Sequence, residues 1–157
     1  MIESTLAFIA DSLDRHLRTL LGASEAKVVV SNLLRLDGSA NAEAENRVAV
    51  FLAQVEDVRR DTRPRPPPVD AVEVIEFALT IRIVLAANFK SYRESLKVLG
   101  HTLAFVHANP VLDKGGSPLT LSLETLNAQQ SSELWTTIGC RYVPSLVCKL
   151  VATGELQ

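Results

Sequence analysis

The chain has few side chains that could carry out chemistry, and its two cysteines are the most conspicuous of them. Cys140 and Cys148 lie eight positions apart near the end of the sequence. A structural zinc site normally needs four ligands, often in closely spaced pairs, and no second cysteine or histidine pair accompanies these two. Cys140 follows the predicted end of a helix, where the helix dipole opposes thiolate formation. Cys148 falls on the apolar face of a predicted strand, so we expect a buried packing residue.

Other candidates for catalysis or ligand binding are equally sparse. The three histidines lie apart on two predicted helices, at His16, His101 and His107. Glu73 and Glu76 could act as paired carboxylates, but solvated positions at a strand edge are the simpler interpretation. Gly115 and Gly116 lack the remaining positions of a phosphate-binding loop and indicate a flexible turn. We therefore expect no enzyme activity, no metal and no cofactor, although a ligand pocket formed only by folding stays an alternative.

Composition indicates one ordered domain over residues 1–157. Hydrophobic residues make up 47% of the chain and charged residues 22%, as in ordinary globular proteins. The net charge of −2 gives no general attraction to nucleic acid or anionic membranes. No apolar run reaches the roughly 20 residues of a membrane helix, and the N-terminus lacks the features of a secretory signal. Two cysteines fit a reducing cytosol.

Hydrophobic periodicity predicts a single α+β domain, with three helices packed on a mixed, mostly antiparallel sheet of about five strands. The predicted element order is α-β-β-β-α-β-α-β. The helices are expected at about 2–21, 91–109 and 127–139, and the strands at about 27–34, 47–58, 72–86, 119–123 and 145–153. The third strand is unusually long, and its alternation places Ile81, Ile83 and Leu85 on one face.

Local signals mark the helix ends and the buried helix faces. Gly22 and Gly139 suit left-handed stops, and capping boxes are predicted at Ser91 and Asn127. Trp135 is expected to pack in the core or against a helix, with an oligomer contact as the alternative. The second helix is expected to bury a stripe of five residues: Tyr92, Leu96, Leu99, Leu103 and Val106.

Three connections stand out by composition. The segment "RRDTRPRPPPVD" over 59–70 is too proline-rich for helix or inner strand, and its arginines give it local positive charge. It is either a solvated loop or a stiff arm that contacts an acidic partner. Residues 37–46 are expected to form an exposed loop, and residues 112–118 a flexible one.

Two blocks of the sequence carry a family resemblance, over 85–113 and 134–150, with "LSLETLN" between them at 121–127. The matching positions are Ala87, Asn88, Phe89, Tyr92, Leu96, Leu99, Phe105, Asn109, Pro110 and Val111 in the first block, and Leu134, Trp135, Gly139, Arg141, Tyr142, Pro144, Ser145 and Lys149 in the second. Their order and spacing resemble the N-terminal domain of tail-terminator, or cap, proteins of phage-tail-like contractile injection systems of the antifeeding-prophage type.

The resemblance implies a structural protein rather than an enzyme. Such proteins form a ring, usually sixfold, on the last layers of inner tube and sheath, where they end polymerisation and couple sheath to tube. The implied partners are further copies of the chain, the sheath protein and the tube protein, with no nucleic acid and no membrane insertion. Assembly is implied in the bacterial cytoplasm, within a particle that the cell can release.

We expect the assembly contacts on charged residues and loops between the core elements. The predicted interface residues are Arg59, Arg60, Arg63, Arg65, Lys114 and Arg141, with the loops 37–46 and 112–118. One alternative is an adaptor that binds another tail or baseplate component without forming a ring. Another is an unassigned small ligand-binding α+β domain.

Overall fold

A computed structural model describes residues 1–58 and 75–156 of the chain. The helices are α1 (Ile2–Leu21), α2 (Tyr92–Ala108) and α3 (Ala128–Ile138). The strands are β1 (Val28–Val30), β2 (Arg47–Val58), β3 (Ile75–Asn88), β4 (Val111–Lys114), β5 (Ser117–Glu124) and β6 (Ser145–Leu156). A short 3-10 turn at Ala42–Ala44 precedes β2. The predicted α+β fold with three helices is confirmed, as is the predicted order of its elements apart from one additional strand.

The strands form one six-stranded sheet in the order β1-β2-β3-β6-β5-β4. β1 pairs with β2 in parallel, and every other pairing is antiparallel. The sheet is therefore mixed and mostly antiparallel, as predicted. The three longest strands, β2, β3 and β6, lie side by side at its centre and carry the helices.

One face of the sheet is covered by α1 and α2. The apolar stripe of α1, represented by Ile9, Leu13 and Leu17, is completely buried. It packs over the strand residues whose side chains alternate onto this face, such as Ile83 and Leu85. Burial of several large aliphatic side chains at about 1.5–3 kcal/mol each makes this layer the main source of stability. Cys148 belongs to the same layer, as predicted.

The opposite face is covered by α3 and by the segment between β1 and β2. Trp135 is the buried residue of α3 and packs against Phe51 and Val84. Leu33 and Ala44, from the connection that precedes β2, complete this second cluster. The prediction of Trp135 as a core residue is confirmed, and the sheet is covered by helices on both sides.

The prediction of a flexible loop over 112–118 is wrong, because this segment forms a β-hairpin. β4 and β5 pair from Lys114↔Ser117 to Val111↔Thr120, which adds the sixth strand. Gly115 and Gly116 make the two-residue turn with φ values of 63° and 90°, a left-handed backbone that glycine adopts without strain. Four strand residues are too few to show a clear alternation, so the pattern did not reveal the strand.

The buried stripe predicted for α2 is also wrong over most of its length. The buried positions are Ser95, Val98, Thr102, Phe105 and Val106. Small hydroxyl residues can face the sheet when a nearby backbone group satisfies the hydrogen-bonding need of the hydroxyl. The Thr102 hydroxyl, for example, donates to the Val98 carbonyl at 2.9 Å. Tyr92 and Leu96 consequently lie on the exposed side of the helix, with Leu99 and Leu103 only partly covered.

The predicted helix ends are confirmed in most details. Gly22 and Gly139 both adopt the left-handed conformation just past their helices. Asn127 and Gln130 form the complete capping box of α3. At α2 the Ser91 hydroxyl accepts the Glu94 amide, which is one half of the predicted box.

Candidate assembly interface

The outer edge of β2 is the most extended open edge in the described part of the sheet. β1 pairs only with Val48–Val50, so among the described residues no strand covers β2 on that side from Leu52 onward. Leu52 and Val55 are 42% and 39% exposed. An exposed edge strand offers unpaired backbone amides and carbonyls to a strand of another chain.

A β-bulge shapes this edge. The register of β2 against β3 shifts between Leu52 and Gln54, which leaves Ala53 as the extra residue. Leu52 opposes Ile83 and Val55 opposes Ile81, so both apolar side chains lie on the face of α1 and α2. Bulges increase local twist and bend the bulged strand. The edge therefore presents two apolar side chains on one face of a bent strand.

Arg82 forms an ionic cluster on the other face of the same strands. Its Nε donates to Glu124 Oε2 at 2.7 Å, and its Nη1 donates to Glu56 and, at 3.0 Å, to Gln54 Oε1. These hydrogen bonds and charges raise the pKa of Arg82, those with Glu124 first. The cluster links β2, β3 and β5, and so spans four neighbouring strands of the sheet, including β6 between β3 and β5. The sequence analysis did not predict this ionic cluster. The signal that could have revealed it is Arg82, a single arginine inside an alternating apolar strand.

The opposite edge of the sheet is short. β4 contributes four residues and ends at Lys114, one of the predicted interface residues. Its ammonium donates to the Ser4 hydroxyl at 2.8 Å and the Thr5 hydroxyl at 3.3 Å in α1. The structure thus places Lys114 in a contact within the chain, between the β4–β5 hairpin and the start of α1. Short edge strands that carry lysine are a common protection against edge-to-edge pairing.

The predicted interface loop 37–46 is held at both ends. Asp37 Oδ1 accepts from the Ser39 amide and hydroxyl, and these hydrogen bonds lower the pKa of the carboxyl group. At the other end, the Asn88 side chain donates to the Ala44 carbonyl at 3.0 Å. Lys90 adds an ion pair with Glu45 at 2.7 Å. The loop is exposed around Asp37, as expected, and buried at Ala44.

Arg141, another predicted interface residue, is exposed and lines an open groove of about 720 Å³ beside α3. The floor of the groove includes Trp135 and Tyr142, whose rings meet edge to face at 5.3 Å. The structure does not bring Lys114 and Arg141 together, because Lys114 contacts α1 and Arg141 lies beside α3, on opposite faces of the sheet. Arg59, Arg60, Arg63 and Arg65 lie outside the described residues.

The described residues contain no group of three or more histidine, cysteine, aspartate or glutamate side chains placed to hold a metal ion. The clefts on this part of the surface are wide and open. The one that contains Arg82 has a volume of about 380 Å³ between α3 and β2 and is lined by Glu124 and Glu133. The most prominent surface features of the described residues are an open strand edge, an apolar row of Tyr92 and Leu96 on α2, and a groove beside α3.

Comparison with known families decides what kind of protein carries these surfaces. The profile of the Pvc16 N-terminal domain matches residues 5–153. The chain belongs to the Pvc16 N-terminal domain family. The match covers α1 through most of β6, so the family resemblance deduced from the two sequence blocks is confirmed. No curated protein matches the chain.

Membership in the Pvc16 family makes this chain a component of a phage-tail-like injection system. Several residues that carry the resemblance have structural roles in the Pvc16-type domain. Asn88 fixes the 37–46 loop, and the Asn109 side chain donates to the Phe105 carbonyl at the end of α2. Across residues 1–58 and 75–156, no helix is long and apolar enough to span a membrane.

The two cysteines of this Pvc16-family chain should differ sharply in reactivity. Burial raises the pKa of the Cys148 thiol to about 12, and it raises that of the half-buried Cys140 less strongly. We expect a thiol reagent at pH 8 to modify Cys140 in the native protein and Cys148 only after unfolding. Peptide mass spectrometry with and without urea measures this, with Cys140→Ser as the control. Equal modification of both native thiols would contradict the burial of Cys148.

The same pKa shift predicts an alkaline loss of stability. The Cys148 pKa is about 12 in the folded chain against an ordinary value of 9.0. Between these values the native state binds more protons than the unfolded state, so the free energy of unfolding falls as pH rises. The contribution of this thiol has a slope of at most about 1.4 kcal/mol per pH unit. A Cys148→Ala variant should show a correspondingly weaker pH dependence in urea titrations.

Proposed function

We propose that this chain is the terminator of its injection system, a cap on the distal end of the tube and sheath. In this role copies of the chain form a ring, which we expect to be hexameric, on the last tube and sheath layers. The ring ends polymerisation and couples the sheath to the tube. The chain acts as a structural protein without catalytic activity, and its partners are its own copies, the sheath protein and the tube protein.

The observation that carries this proposal is the difference between the two edges of the sheet. A terminator of a strand-exchanging sheath must accept a strand from the last sheath layer and offer none to a further layer. The β2 edge, with exposed Leu52 and Val55, is suited to accept a strand. The four-residue β4 edge, with Lys114 at its end, is poorly suited to pair with another chain.

The apolar row on α2 supports the same proposal. Tyr92 is 66% exposed and Leu96 46% exposed, one turn apart on a helix that packs on the sheet with its other side. Neighbouring apolar residues on an exposed helix face are typical of surfaces that another protein covers. The net charge of −2 adds no attraction to nucleic acid or to anionic lipid. The apolar row is suited to contact the end of a protein tube. The proposed place of assembly is the bacterial cytoplasm.

Deletion of the gene tests the proposal. We expect particles from the deletion strain to vary widely in length and to lack a distal ring in electron micrographs. Expression of the chain from a plasmid should restore a narrow length distribution. Particles of normal length with a normal distal end in the deletion strain would overturn the proposal. Loss of the baseplate with normal distal ends would favour an adaptor at the other end.

A further inference from the structure

The cleft between α3 and β2, with a volume of about 380 Å³, reaches the open edge of the sheet. Its lining includes Ala53 and Gln54 of β2, which are the residues at the β-bulge. Among the described residues no strand covers β2 at this point. A strand that added to this edge would bring a side chain to the mouth of the cleft, because directly opposed side chains on paired strands have their Cβ atoms about 4.5–5.5 Å apart.

Acidic side chains outnumber basic ones around this cleft. Glu124 and Glu133 lie in its lining together with Arg82. Glu56, on the edge strand, accepts a hydrogen bond from the same arginine. Lys149 stands opposite Arg82 on β6 and is not part of the lining. The three carboxylates exceed the cations even when Lys149 is counted, so the cleft favours one additional positive charge.

The walls of the cleft fit a long basic side chain better than a free ion. Leu126, Leu134 and Val147 supply apolar surface, and Gln54 and Gln130 supply polar atoms. Lysine and arginine combine an apolar stem with a charged head, which matches both kinds of wall. The described residues contain no group of three or more metal-binding side chains that could hold a metal ion. An apolar or acidic side chain would desolvate the carboxylates without a counter-charge.

We propose that a lysine or arginine of the strand bound at the β2 edge enters this cleft and pairs with Glu133. The inference rests on the proposed cap function and deepens it, because it gives the chemistry of the strand that the sheath protein supplies. That strand carries aliphatic side chains toward Leu52 and Val55 on one face and a basic side chain toward the cleft on the other. The two faces alternate because successive side chains of a strand point to opposite sides.

A second copy of the chain is a poor source of such a strand. In the described part of the chain, the sheet ends in β1 and β4, and β2 is open beyond β1. β1 consists of three valines, and β2 has no basic residue from Leu52 to Val58. Lys114 of the four-residue β4 donates to hydroxyl groups of α1 in its own chain. The basic strand therefore comes from another protein of the particle, and the sheath protein is the proposed partner of this edge.

Charge variants of Glu133 test the contact. The residue is exposed, and its carboxylate accepts a hydrogen bond from the Gln129 side chain at 3.0 Å, so Glu133→Gln should leave the fold unchanged. We expect sedimentation with purified sheath ends in about 0.1 M salt to show about tenfold weaker binding of Glu133→Gln and a larger loss for Glu133→Lys. In about 1 M salt the loss of Glu133→Gln should shrink to less than about threefold, because salt screens the pairing of charges.

Glu25→Lys is the matched control, since Glu25 is an exposed acid in the connection between α1 and β1 and does not line the cleft. It should bind sheath ends like the wild type, and an equal loss in this control would overturn the cleft contact. A loss in the Glu133 variants that about 1 M salt does not reduce would overturn it as well.

The double variant Leu52→Lys with Val55→Lys separates this inference from the cap proposal. Normal sheath binding by both Glu133 variants, with binding lost in the double variant, would overturn the cleft contact and leave the cap proposal intact. Weaker self-association of the Glu133 variants with normal sheath binding would make a second copy the occupant and overturn the contact with the sheath strand. Sheath ends that do not bind even the wild-type chain would overturn both proposals.

Discussion

Replacing Leu52 and Val55 together by lysine should leave the chain folded and abolish most capping. Both side chains are about 40% exposed on the open β2 edge, so the double variant should lose at most about 1 kcal/mol of stability. Lysine on an edge strand opposes pairing with another strand, because its charge would have to be desolvated. We expect binding to sheath ends to weaken by about tenfold or more, equivalent to at least about 1.4 kcal/mol.

The measurement is a sedimentation assay with purified sheath ends, together with particle lengths in complemented deletion cells. Leu20→Lys is the matched control, since Leu20 is exposed to a similar extent on the last turn of α1, away from the edge. The control should cap normally. Equal sheath binding by the double variant and the wild type would show that the β2 edge is not the coupling surface.

Replacing Trp135 by alanine should cost about 3–5 kcal/mol of unfolding free energy. Trp135 is only 7% exposed and belongs to the buried cluster of Phe51 and Val84, against which Leu134 and Ile138 of α3 also pack. Because domains of this size are stable by about 5–15 kcal/mol, the variant should be largely folded at 25 °C but close to its limit. Urea unfolding followed by far-ultraviolet circular dichroism measures the loss.

Trp135→Phe is the control, since it keeps an aromatic ring in the cluster, and we expect it to cost less than about 2 kcal/mol. The edge contact with Tyr142 should weaken in both variants. A loss below about 1 kcal/mol in the alanine variant would contradict the assignment of α3 as a structural layer. Such a small loss would indicate that Trp135 serves the groove and not the packing of α3 on the sheet.

The fold could be predicted largely from the sequence where a pattern extended over many residues. The 20-residue α1 repeats its apolar stripe over five turns, and β3 alternates over fourteen residues, so both were recognised. β4 was missed because four residues are too few for a pattern. The buried face of α2 was misplaced because Ser95 and Thr102 face the sheet with their hydroxyls bonded to backbone, which hydrophobicity does not reveal.

The candidate interface could be predicted less well, since it depends on what remains uncovered after folding. The assembly contacts expected at Arg141 and Lys114 stay predictions: Arg141 lines a groove, and the Lys114 ammonium donates to the Ser4 hydroxyl within the chain. Leu36 and Val55 gave no signal in the sequence, because an apolar residue in an alternating or loop segment is usually covered. Leu36 stays exposed because it lies in the hairpin at 34–40. Val55 stays exposed because β1 is too short to cover that part of β2.

A reconstruction of the distal end of the native particle by electron cryomicroscopy is the decisive measurement of whether this chain is the terminator. We expect a single ring of copies of this chain on the last tube and sheath layers, with the β2 edge against a strand of the sheath protein. Density for the chain at the baseplate or repeated along the tube, or a distal end without it, would contradict the terminator role.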